Sequence, residues 1–209
     1  MGRMMFRDLV MYHFLINTKI PISAISMAKL FYMSDSRHVS SATTVQNRRC
    51  KVAMDLGYLE RLPRNFGSQS IYYANGINKP NPKTLRHKLL LGDTLAEIKM
   101  NGFDIDFKSC KTEVQLMEGL RCDMYAEIIY NNKRYSLIIE VATSHQLDEE
   151  KYKTFIEKVI NKEIKFPHQL LVLNVSDFKV QDDYVKKCIT TIHTDLHDIS
   201  RFIYNFISD

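Results

Sequence analysis

Glycine is scarce in this 209-residue sequence: there are seven, each standing alone. That excludes a glycine-rich phosphate loop and, with it, an ordinary nucleotide hydrolase. The four cysteines (Cys50, Cys110, Cys122 and Cys188) form no C-x-x-C pair. A thiolate zinc site of usual spacing is therefore excluded, and a reducing, cytoplasmic location is expected. No stretch approaches the roughly eighteen consecutive apolar residues of a membrane span. The opening MGRMMFRDLVMYHFLIN carries Asp8 and His13 within its apolar run, and no small-residue cleavage site follows. It reads as an amphipathic helix and not as a signal peptide. No Ser-His-Asp order around a nucleophile elbow occurs either.

What remains is an ordinary globular composition, 45% hydrophobic and 25% charged, with an uneven distribution of charge. Residues 1–88 hold fourteen Lys and Arg against four Asp and Glu, a balance of +10. Residues 89–209 hold fifteen against twenty, a balance of −5. A basic half joined to an acidic half places polyanion contacts at the amino end.

That half shows three helical patterns in succession. The first covers about 4–17, with Met5, Leu9, Tyr12, His13 and Ile16 on one face. Pro21 signals a second over about 22–32, where Ile25, Ala28, Lys29 and Tyr32 recur at helical spacing. The third is expected to open at Ser40 or Ser41 as N-cap and to end at Leu56, with Ala42, Val45, Val52 and Leu56 turned inward. Ser41, Thr43, Thr44, Gln46, Asn47, Arg48, Arg49 and Lys51 then occupy the outer faces. Arg and Lys bond guanine edges or phosphates, Gln and Asn bond adenine, and Thr touches the thymine methyl. Such a helix suits a major groove. Gly57 is a C-cap candidate. Tyr58–Tyr73 reads as strand, turn and strand, a hairpin on which Arg61 and Arg64 meet phosphate or a minor groove. The ordered set predicts a winged helix-turn-helix over residues 1–78 that binds double-stranded DNA.

Asn75–Pro82 is turn chemistry and is expected to mark the boundary to a second domain, 79–209. A helix over about 84–100 is followed by extended residues 105–116. Two strands, 123–130 and 134–142, flank an Asn131-Asn132 turn. A helix over 147–162, a buried strand over 169–175, a short helix, a short strand and a final helix near 194–207 complete the chain. The order predicts an α/β (α+β) sandwich on a mixed central sheet. His193 and His197, spaced i, i+4, would share a helix face that could take a metal, although no third ligand is placed.

With Asp123 opening one strand and Glu140 near the end of the next, this order resembles the PD-(D/E)xK nuclease core. The resemblance implies that Asp123 and Glu140 hold Mg2+ or Mn2+, with Glu113 as a further acid. The lysine expected two residues after Glu140 is Ala142, so Lys151 or Lys153 on the next helix would have to reach back. Taken whole, the chain resembles the replication-relaxation family of plasmid and phage proteins. The resemblance rests on Gly57-Tyr58-Leu59, the HKLLLGD helix from His87 to Asp93, Glu113, Asp123, the IIEVAT segment and Lys151-Tyr152. It implies a winged helix joined to a nuclease-like domain that often lacks the full catalytic set. Two functions follow as expectations. One is a DNA-binding protein of a plasmid, phage or mobile element that needs no cofactor. Its second domain would serve as a homodimerisation platform, or dock a replication or relaxase protein, away from any membrane. The other is a metal-dependent endonuclease using Asp123, Glu140, Glu113 and Lys151.

Overall fold

The amphipathic opening segment winds into α1, Phe6–Thr18. Its first turn is closed by the Met5 N–H on Asp8 Oδ2 (2.8 Å). It ends where Lys19 takes a left-handed conformation (φ 53°) and donates its N–H to Leu15 O. A two-residue strand, β1 (Ile22–Ser23), leads into α2, Ala24–Phe31, which Ser23 caps by accepting the Ser26 N–H (3.1 Å). The long helix α3, Val39–Asp55, stops at Gly57 (φ 77°). The chain then forms β2 (Leu59–Arg61) and β3 (Ile71–Ala74). These strands and β1 make a small antiparallel sheet in the order β1-β3-β2. The computed structural model describes residues 2–33, 38–63, 69–200 and Phe202. Arg64, expected on the hairpin, lies outside them.

The chain divides into two units after Met100, not after residue 78. The expected boundary is corrected because α4 (Pro82–Met100) packs on α2 and β1. Lys99 Nζ donates to Leu30 O (2.8 Å), Lys29 pairs with Glu97, and Asp93 accepts from Ser26 and Ser23 at the start of α2. Gly92 lies so close to Ile22 that an added Cβ would stand 3.3 Å from its side chain. The turn residues 75–81 join β3 to α4 within one unit.

The second unit is built on a five-stranded mixed sheet in the order β4-β5-β6-β7-β8. Its strands are Asp104–Met117, Leu120–Tyr130, Lys133–Ala142, Gln169–Ser176 and Thr190–Ile192. β4, β5 and β6 run as an antiparallel meander, and β7 and β8 continue in parallel. Asn131 and Asn132 both have positive φ (47° and 62°), as a two-residue hairpin loop requires. The β6-to-β7 crossover carries α5 (Glu149–Ile160), and α6 (Asp183–Cys188) precedes β8. Tyr152, Phe155 and Ile156 of α5 and Val185 of α6 pack on Ile138 and Val172 of the sheet.

The protein is thus a mixed α and β fold, with six helices among the described residues. The HTDLH segment is turn and not helix, so His193 and His197 share no helix face. His193 Nδ1 instead lies 3.1 Å from Asp177 Oδ1. Of the helix expected near 194–207, residues 194–198 form turns, and 201 and 203–207 lie outside the described residues. No helix among them is long and apolar enough to cross a membrane.

Candidate functional site

Seventeen residues of α3 sort cleanly by exposure. Ser40, Ser41, Thr44, Asn47, Arg48, Lys51 and Asp55 are exposed, and their spacing by three, four and seven places them along one stripe. Ala42, Gln46, Cys50 and Ala53 form the opposite, buried line. Apart from Asp55 at its C-terminal end, the exposed stripe bears hydroxyls, an amide and two cations. The helix opens two or three residues earlier than expected, with His38 at the N-cap position, so Ser40 and Ser41 sit in its first turn and are not its N-cap. Thr43 is half-buried and Thr44 exposed, and each returns its hydroxyl to a carbonyl one turn back, on Val39 and Ser40.

Two of the expected contact residues are corrected. Gln46 is fully buried, and its Nε2 donates to Cys50 Sγ (2.9 Å) and Met27 Sδ (3.5 Å). It holds α3 against α2 and cannot reach a ligand outside. Arg49 is half-buried and turned to α1, where its guanidinium grips Asp8 through Nε (3.1 Å to Oδ2) and a terminal nitrogen. Asp8, only 1% exposed, also accepts from the Tyr32 hydroxyl (2.9 Å). Burial pushes its carboxyl up, but the bonds from Arg49, the Met5 N–H and Tyr32 outweigh this and hold it below the ordinary carboxylate value.

The hairpin stands at one flank of the stripe. Tyr72 of β3 points its hydroxyl at Asn47 Oδ1 (3.5 Å). Arg61, directly opposite Tyr72 in the ladder, is exposed on the same side of the sheet. Asn47 thus meets the hairpin through Tyr72, the cross-strand neighbour of Arg61, and shares the exposed stripe with Arg48 and Lys51, while Gln46 and Arg49 lie outside that stripe.

In the second unit, Asp123 and Glu140 meet on adjacent strands. The β5–β6 register closes at Met124↔Ile139, and the next N–H, that of Val141, is taken by Asp123 Oδ2 (2.8 Å). Glu140 is paired across β7 with Asn174, and Asn174 across β8 with Thr191. Burial, and then the neighbouring Asp123 charge, push the Glu140 carboxyl up to about 9, although the Tyr152 hydroxyl donates to it. Tyr152 escaped the sequence reading as a site residue. It follows Lys151 on the helix, a rotation of about 100°, and that turn alone carries it to the acids.

The other expected members stand apart. Glu113 lies level with Asp123 in the β4–β5 register, yet it is exposed, with φ 53°. Lys151 is exposed and its Nζ pairs with Asp148 (2.8 Å), while Lys153 pairs with Asp182 (3.1 Å). The relocated lysine is thus corrected, because both ammonium groups are engaged with other carboxylates. Ala142 is buried. Among the described residues, no group of three or more His, Cys, Asp or Glu side chains is placed to hold a metal ion. Comparison with protein-family models, with curated proteins and with solved structures found no match to this chain.

Proposed function

We propose that the protein binds double-stranded DNA as a winged helix-turn-helix, with α3 entering the major groove and the β2–β3 hairpin serving as the wing. The observation that carries this reading is the single exposed stripe of α3, where Ser41, Thr44, Asn47, Arg48 and Lys51 stand clear of the core. Arg48 and Asn47 are the residue types that read guanine and adenine edges, and Lys51 and Arg61 suit phosphate. The +10 balance of residues 1–88 supplies long-range attraction for a polyanion. The resemblance to the replication-relaxation family points to replication, transfer or transcriptional control in a plasmid, phage or mobile element. The second unit then acts as a dimerisation or docking platform, because one recognition helix offers few base contacts and two half-sites multiply affinity. In a fluorescence-anisotropy titration with a labelled duplex, Arg48→Ala combined with Lys51→Ala weakens binding at least tenfold, by the scale of one lost base contact and one lost phosphate contact. Unchanged affinity in a folded double variant would reject the reading.

A metal-dependent nuclease is the second reading, favoured by the juxtaposition of Asp123 and Glu140 on adjacent strands. The pair fits Mg2+ or Mn2+ in part: both are hard oxygen donors, but Glu113 does not converge with them and no lysine completes the set. A cation there would polarise a phosphoryl oxygen. The chain's own residues hold the two carboxylates in place, through the Val141 N–H and the Tyr152 hydroxyl. Plasmid DNA incubated with either metal stays intact if the first reading is correct. Cleavage that disappears in Asp123→Ala would favour the second.

A further inference from the structure

The exposed stripe of α3 has two flanks, and the hairpin occupies only one. Along the other run Val45, Arg49 and Val52, one helical step away from Ser41 and Arg48. The segment ahead of α1 lies against this second flank. A terminal nitrogen of Arg49 donates to the backbone carbonyl of Arg3 (2.7 Å), and the same nitrogen binds Asp8. Gly2 approaches Val52 so closely that an added Cβ would stand 2.9 Å from its side chain. Two contacts, one polar and one steric, therefore seat residues 2 and 3 beside the turn of α3 that carries Arg48 and Lys51. The Arg3 side chain is exposed.

Resting on the DNA-binding reading above, we infer that this segment is a second arm of the interface, and that Arg3 contacts the phosphate backbone bordering the groove that α3 enters. The stripe is then bracketed by a cation on each side, Arg61 on the hairpin and Arg3 on the opposite flank. Such contacts fix the orientation of a reading helix without carrying sequence information. Arg49 becomes a positioning residue: it touches no DNA, but its guanidinium holds the arm against α3 through the Arg3 carbonyl. A phosphate contact is sequence-independent, so a labelled duplex of mixed sequence at low salt is a sufficient probe.

The test is a salt series of anisotropy titrations on the full chain, comparing the unaltered protein, Arg3→Ala, Arg3→Lys and the Arg48→Ala/Lys51→Ala double variant. Loss of one phosphate contact makes the plot of log affinity against log salt shallower by about 1. Arg3→Ala is expected to show that loss with an unchanged melting temperature, and Arg3→Lys to restore the slope. If Arg3→Ala superimposes on the unaltered protein while the double variant binds weakly, the arm is overturned and the α3 reading stands. If neither variant changes binding, both fall together.

Discussion

Asp8 is the residue at which the first three helices meet. It lies on α1, accepts from Tyr32 just beyond α2 and is gripped by Arg49 of α3. Removing Arg49 would leave a carboxylate of 1% exposure without its cation. Arg49→Ala is expected to cost about 3 kcal/mol, read from urea denaturation. Because the folded carboxyl is held below its ordinary value, its contribution is in force above about pH 4 and fades as pH falls below that. Arg49→Ala should therefore flatten the acid side of the stability profile, and an unaltered acid limb would contradict this account of Asp8. Sequence alone assigned Arg49 and Gln46 to the outer face for an understandable reason. Local hydrophobicity sees a polar side chain but not its partner, and here the partners are Asp8, 41 positions away, and the sulfurs of Met27 and Cys50. The outward residues, Thr44, Asn47, Arg48 and Lys51, were legible because helical spacing alone separates them from Ala42 and Ala53.

Most elements were legible because their periodicity is long. The four helices of the first unit, the β4–β5–β6 meander and the β7 strand sit within a few residues of where spacing and turn chemistry place them. The exceptions are short. β1 has two residues and exists only through pairing with β3, which no local pattern announces. HTDLH has the spacing of a helix face but forms turns, with Asp177 accepting from the Thr194 N–H (3.1 Å) and hydroxyl. The Asn131-Asn132 loop offers a test at this scale. Both residues have positive φ, a conformation that asparagine tolerates and glycine adopts freely. Asn132→Gly is expected to raise stability by up to about 1 kcal/mol in a thermal melt, whereas destabilisation would argue against this loop geometry.

At the scale of the whole molecule, the division after Met100 is the feature that turn chemistry misled. Asn75–Pro82 is rich in loop residues, yet α4 beyond it is tied back by Lys99, Asp93 and the Lys29–Glu97 pair. A fragment ending at residue 100 is expected to unfold cooperatively, while one ending at 78 exposes the α2 and β1 surfaces that α4 covers and loses that transition. Equal circular-dichroism melts for the two fragments would contradict the division. The polarity of the molecule was visible from its charge: the basic half carries the exposed cationic stripe, and the acidic half carries the Asp123–Glu140 pair. What the sequence could not reveal was whether the acids would gather a lysine, since that depends on the rotation of α5, which turns Tyr152 inward and Lys151 out to Asp148. The central claim is that α3 meets the duplex, and an amide NMR titration of the full chain with a short DNA duplex tests it most directly. The largest shifts are expected at Ser41, Thr44, Asn47, Arg48 and Lys51. Shifts confined to residues 101–209, or none at saturating duplex, would contradict it.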